Sequence, residues 1–164
     1  MDLAEGLDAF RKTDGNCLMM GEIGSIQVAA LVIELSQVSE QQLFTHHAMS
    51  TEKLLGYFRN ALLRTGMYTN EQMAANQVAE AFQIHVLCEK DLNGRRYIKE
   101  ISEIVPKEGG MGRTLYRYGA NGYETVNPLS EQLLRQLTEA MDKEATEEIK
   151  SFFEGDEEKR NMGL

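Results

Sequence analysis

Two short apolar runs, each ending in polar or charged residues, constrain the fold of this chain more than any other feature. The first run covers residues 17–20 and stops at Gly21-Glu22, and the second, Leu43-Phe44-Thr45, leads into His46-His47. Residues 26–38 between them are apolar over most of a helical circumference. Continuous apolar runs of this length are typical of strands buried on both faces of a parallel sheet. The order strand, helix, strand therefore predicts two adjacent or near-adjacent parallel strands joined by a buried helix.

The remaining segments read as helices followed by antiparallel strands, so the predicted fold class is α/β with an antiparallel extension. Asp2 caps a short first helix that ends at Asp14-Gly15. The later boundary signals are caps at Ser25 and Ser50, a helix end at Gly66, a capping box from Thr69 to Gln72, hairpin turns at Asn93-Gly94 and Asn121-Gly122, and a last helix opened by Pro128 and Ser130.

Charge and cysteine content exclude some classes of protein. The net charge is −9, whereas a dedicated nucleic-acid binder needs a basic surface, so no direct nucleic-acid partner is expected. No apolar run approaches the roughly 20 residues of a transmembrane helix. Cys17 and Cys88 lie far apart and predict buried, reduced thiols in the cytoplasm. The acidic stretch from Glu139 to Arg160 fits either a solvated helix or a docking tail for a basic partner.

The polar residues after the two apolar runs carry the chemistry. A carboxylate such as Glu22 at the end of a buried strand can hold Mg²⁺ through water or orient a water molecule that attacks a phosphate. It can equally be an ordinary strand-end acid. Adjacent residues of a strand point to opposite faces, so only one of His46 and His47 can donate a hydrogen bond to the same phosphate. A surface histidine pair without such a role is the alternative.

At these residues the chain resembles the type II/IV secretion ATPases, and most closely the branch that serves tight-adherence pili and conjugation. The segment Gly21–Ile23 is similar to that family's Walker B box, and Thr45 with residues 47–50 is similar to its histidine box. Residues 59–66 and 94–104 resemble the family's later helix and terminal hairpin. The resemblance covers residues 1–127 and leaves 128–164 as a helical, acidic C-terminal tail.

The resemblance implies the C-terminal part of a RecA-like P-loop NTPase motor, a sheet with helices on both faces, that uses ATP and Mg²⁺ to power secretion, conjugative transfer or pilus assembly. In such a motor Glu22 positions the attacking water or the Mg²⁺ shell, and His47 contacts the γ-phosphate. Gly21, Thr45 and His46 are the expected nucleotide-binding residues, and His46 replaces His47 if the strand register differs by one. The implied partners are further copies or a missing ATPase half, and inner-membrane secretion or pilus components, with the chain in the cytoplasm or at the inner face of the membrane.

Three departures from the family pattern leave enzymatic activity open. The sequence contains no GxxxxGK[ST] loop, Gly24 replaces a usual arginine, and residues 39–42 replace an earlier histidine and glycine. The glycine cluster at 109–112 lacks a Lys-Ser/Thr pair and predicts a flexible loop instead. We therefore expect poor binding of ATP and Mg²⁺ by the isolated chain, and a non-catalytic assembly or regulatory protein is the alternative function. We also expect a monomer or a non-hexameric oligomer, with an exposed apolar patch around helix 26–38.

Overall fold

A computed structural model describes residues 12, 17–37, 41–106, 110–139, 145 and 147. The predicted first helix, apart from Lys12, and nearly all of the acidic tail lie outside the described residues. The fold is mixed α/β, as expected. Its elements are β1 (Cys17–Met20), α1 (Ile26–Leu35), β2 (Gln41–Phe44), α2 (Thr51–Arg64), α3 (Glu71–Ala81), β3 (Ile84–Lys90), β4 (Arg96–Val105), β5 (Met111–Gly119), β6 (Gly122–Thr125) and α4 (Glu131–Glu139).

The two apolar runs form the parallel pair that the sequence predicts. Strand β1 pairs with β2 in a register that sets Cys17 opposite Gln41 and Met20 opposite Phe44. Helix α1 connects them, and the Ser25 hydroxyl oxygen caps it by accepting a hydrogen bond from the Val28 amide at 3.2 Å. The strand–helix–strand prediction is therefore confirmed, but the expectation that these strands are buried on both faces is wrong, because every second residue of each strand is exposed.

The exposed apolar surface of this strand pair is not where we expected it. All apolar side chains of α1 are buried or half-buried, so the predicted patch around this helix is wrong. Met20 and Phe44 pack towards the helical core, whereas Met19 and Leu43, which alternate with them, are 72% and 58% exposed. Alternation of side chains along a strand explains the result, because only one face of the sheet packs against the core.

Helices α2 and α3 complete the core beside α1. Ser50 caps α2 as predicted, and Gly66 ends it with a φ of +77°, which favours glycine. The cap of α3 is Asn70 rather than the predicted Thr69, because the Asn70 side-chain oxygen accepts a hydrogen bond from the Met73 amide at 2.9 Å. Phe58 is fully buried at the centre of this core.

The second half of the chain forms a four-stranded antiparallel sheet in the order β3-β4-β5-β6. Both predicted hairpins are confirmed: Gly94 and Gly122 turn the chain with φ of +86° and +105°. The flexible loop predicted at the glycine cluster is wrong for its described part, since β5 begins at Met111. A Cβ on Gly110 would lie 2.8 Å from the Ala79 Cβ, and one on Gly112 would lie 2.8 Å from the Thr51 Cγ2. These glycines therefore allow close packing.

The chain divides into two compact units. Unit 1 comprises Met1–Leu87 with Ile104–Gly112, and unit 2 comprises Cys88–Glu103 with Arg113–Leu164. The predicted division at residues 127 and 128 follows a family resemblance, so it stays a prediction. None of the helices in the described ranges is long and apolar enough to cross a membrane.

Unit 2 is held together by a buried carboxylate. The Glu103 side chain is only 6% exposed and accepts hydrogen bonds from the Ser130 amide at 3.1 Å, from the Ser130 hydroxyl and from Arg113 Nη1 at 3.0 Å. Arg113 also donates to the Pro128 carbonyl at 2.7 Å. The Ser130 hydroxyl oxygen accepts from the Leu133 amide and so caps α4, as the sequence predicts.

Both cysteines are free thiols, as predicted, but the expectation that they are buried is wrong. Cys17 shares the exposed alternation of Met19 on β1, and Cys88 follows the buried Leu87 on β3. Each thiol therefore lies at a strand position that faces away from the packed side.

Candidate functional site

The two parallel strands remain tied together beyond their last paired residues. The Ile23 amide donates to the Thr45 carbonyl at 2.9 Å, and the Thr45 hydroxyl donates to the Gly21 carbonyl. These bonds continue the register of β1 and β2 into the loops that carry the candidate site residues. Gly21 and Thr45, predicted to bind nucleotide, therefore contact each other.

His46 faces the helical core. Its Nδ1 lies 2.8 Å from the Ile23 carbonyl oxygen, and since a carbonyl can only accept, Nδ1 carries the proton. The imidazole ring lies 4.3 Å from the ring centre of Tyr57 and 5.5 Å from that of Phe58. His46 thus connects the loop after β1 to α2.

His47 points the opposite way and meets Glu22. The distance between His47 Nε2 and Glu22 Oε1 is 3.4 Å, and the two side chains are 95% and 59% exposed. The structure thus brings together the two residues that the sequence singles out as catalytic, at the same edge of the sheet. In water an exposed pair of this kind contributes little to stability. Both groups are instead available to a ligand: the carboxylate as an acceptor, and the imidazole as a donor or acceptor of a proton.

The backbone around Glu22 leaves room for a ligand or for a larger side chain. A Cβ placed on Gly21 or on Gly24 would meet no atom within 4 Å. Gly24 stands where the resembled family has an arginine, so an arginine here would not clash at its Cβ. Packing therefore does not explain the glycine at this position.

A second polar contact, Thr51 with His85, was not expected from the sequence. Thr51 is the first residue of α2, is 2% exposed, and its Oγ1 lies 2.9 Å from His85 Nδ1 on β3. The pKa of the neighbouring Glu52 carboxyl is lowered by hydrogen bonds from the Glu52 backbone amide and from Ser50, and less strongly by attraction to His85. Thr51 and His85 are 34 positions apart in the sequence, so no local sequence signal predicts the contact.

Similarity to known proteins adds nothing to this geometry. No protein-family model matches the chain, and it matches no curated protein. Within the described residues, no cluster of three or more histidine, cysteine or acidic side chains is arranged to hold a metal ion. The roles predicted for Glu22, His47, Gly21, Thr45 and His46 therefore stay predictions.

Proposed function

We propose that this chain is the C-terminal part of an ATPase that powers type II/IV secretion, conjugative transfer or pilus assembly. In this proposal the parallel strand pair belongs to a RecA-like sheet, and Glu22 and His47 supply the Walker B and histidine-box groups. The chain works in the cytoplasm or at the inner face of the membrane, with copies of itself or a second ATPase half and with inner-membrane components as partners.

One observation carries the proposal: Glu22 and His47 meet where two adjacent parallel strands end. Open α/β sheets bind ligands beyond the carboxyl ends of their strands, where such side chains face the ligand. A motor that cleaves a phosphate bond needs an acid near Mg²⁺ or near the attacking water and a donor near the γ-phosphate. The exposed carboxylate and imidazole have this chemistry and lie close enough to act on one phosphate group.

The Glu22 carboxylate also fits Mg²⁺ as one ligand among water molecules and phosphate oxygens. Mg²⁺ at nucleotide sites keeps several water molecules and is held mainly by phosphate oxygens, with one or two carboxylates nearby. Glu22 is a suitable acid of that kind, and His47 Nε2 can donate to a phosphate oxygen when protonated. The Thr45 hydroxyl is already bonded to Gly21, and His46 is bonded to Ile23, so these residues hold the loops in place.

The proposal requires a phosphate-binding loop from outside these 164 residues, and this requirement is its test. The reading frame upstream of Met1 should encode a GxxxxGK[ST] loop about 50–70 residues back, continuous or split, because the loop precedes the Walker B strand in such motors. The joined polypeptide should hydrolyse Mg·ATP, and Glu22→Gln should abolish turnover while leaving nucleotide binding intact. Equal turnover of ATP by Glu22→Gln and by the parent polypeptide would refute the proposal.

A non-catalytic assembly or regulatory protein derived from such an ATPase is the second candidate. Gly24, where an added Cβ would meet no atom within 4 Å, favours it together with the absence of a GxxxxGK[ST] loop from these residues. On this candidate the joined polypeptide stays inactive and Gly24→Arg does not restore activity. Turnover gained on Gly24→Arg would instead show an intact site that lacks one cationic side chain.

A further inference from the structure

The segment that carries His47 is fixed at both of its ends. At its start, Thr45 and His46 bond to the carbonyls of Gly21 and Ile23. At its other end lies Thr51, the first residue of α2. His47 itself is 95% exposed, so its position follows mainly from the way the chain is held on either side of it.

The Thr51 side chain contacts two residues of unit 1 that are distant from it in the sequence. Its hydroxyl meets His85 Nδ1 on β3 at 2.9 Å. Its methyl group lies against the backbone of Gly112 on β5, so close that a Cβ there would be 2.8 Å away. A hydroxyl buried to this degree needs a partner, because an unsatisfied buried polar group is costly. The Thr51–His85 bond therefore holds the first turn of α2 in one place.

We propose that Thr51 and His85 are positioning residues, which set the place of His47 relative to Glu22 by fixing the chain four residues beyond His47. The inference concerns the geometry of the Glu22–His47 pair and rests on the proposed function only for its consequence in ATP hydrolysis. Neither residue needs to touch a nucleotide to have this effect. Their effect reaches the site through Ser50 and the backbone between residues 47 and 51.

Imidazole NMR signals test the inference directly in the full chain. The chain has three histidines, so the ¹⁵N imidazole spectrum contains three sets of signals that single substitutions assign. In the parent chain, Glu22→Gln should shift the His47 signals, because it changes the charge beside Nε2. We expect the Thr51→Val background, which replaces the hydroxyl with a methyl group, to lose most of that shift. The Thr51→Ser background retains the hydroxyl and should keep the shift.

A parallel pair of variants covers the case in which Thr51→Val does not fold. His85→Asn keeps a polar atom near the position of Nδ1, and His85→Leu removes it. The response of His47 to Glu22→Gln should survive the first substitution and be lost in the second. The inference is wrong if Thr51→Val and His85→Leu both leave the His47 response at its parental size. It is also wrong if both of these variants fail to fold while Thr51→Ser and His85→Asn fold and lose the response.

No nucleotide enters this measurement, so its failure and that of the proposed function are distinguishable. An inactive joined polypeptide whose His47 response depends on the Thr51 hydroxyl would refute the proposed function and keep the positioning contact. An active joined polypeptide whose His47 response does not depend on the Thr51 hydroxyl would support the proposed function and refute the positioning role. In an active polypeptide, Thr51→Val should lower kcat more than it raises the KM for ATP, with rescue by Thr51→Ser.

Discussion

The Arg113–Glu103 pair is the contact whose removal should weaken unit 2 most. Arg113→Met keeps most of the aliphatic length of the side chain and removes the guanidinium. The nearly buried Glu103 carboxylate then keeps only its two donors from Ser130, and the Pro128 carbonyl loses its bond from Arg113. Arg117→Met on the same strand is the matched control, because Arg117 lies 3.9 Å from Glu124 in a well-exposed pair.

The expected cost follows from burial. Breaking a buried ion pair from one side costs about 3–5 kcal/mol, and the partial exposure of Arg113 together with the bonds from Ser130 reduces this. We expect a loss of about 2–4 kcal/mol, including the carbonyl that loses its donor. Exposed pairs contribute about 0–1 kcal/mol, which is the expectation for Arg117→Met.

Amide hydrogen exchange measured by mass spectrometry resolves unit 2 from unit 1, which a single melting curve of a two-unit chain does not. A loss of about 2–4 kcal/mol should speed exchange in β5 and α4 by roughly 30- to 900-fold. Amides of α2 in unit 1 should change little. Exchange in Arg113→Met within threefold of that in Arg117→Met would refute the view that Glu103 depends on Arg113.

Three further predictions concern unit 1. Gly112→Ala should lower the free energy of unfolding of unit 1 by about 1–3 kcal/mol, measured by hydrogen exchange in α2, because its Cβ would overlap Thr51, whereas Gly24→Ala in open space should change it little. Asn70→Ala should cost about 1 kcal/mol through loss of the α3 cap, and an equal cost for Thr69→Ala would restore Thr69 as the cap. Because the pKa of Glu52 is lower in the folded chain than its ordinary value of 4.5, the ionised carboxylate stabilises the fold at pH values above 4.5. This contribution disappears as the pH falls through the pKa of the folded state. Glu52→Gln should therefore lower stability in urea titrations at neutral pH and leave it unchanged in strong acid.

Local signals in the sequence predict the fold well where one residue type has one physical reason to be there. Asn-Gly pairs turn hairpins, and an apolar run that stops at polar or charged residues marks the end of a strand, so the sequence predicts both hairpins and the meeting of Glu22 with His47. The glycines at 110 and 112 differ from the prediction, because a sequence does not show whether a glycine serves flexibility or close packing. Chemistry likewise does not separate Thr69 from Asn70, since both residue types cap helices well.

Contacts between distant residues and the direction of a strand's faces could not be read from the sequence. The Thr51–His85 bond joins segments that only the folded chain brings together. The exposure of Cys17 reflects the face on which the helices pack, and a strand of four residues carries no sign of which face that is.

The opposite orientations of His46 and His47 restrict how the connection between β2 and α2 can change during evolution. Adding or deleting one residue just before the histidines would exchange their environments. The His46 ring, which packs against Tyr57, would then face solvent, and His47, which lies beside Glu22, would turn inward. A change of two residues would keep each imidazole on its own side. Homologues that differ in length here should therefore differ by even numbers of residues wherever both histidines are kept.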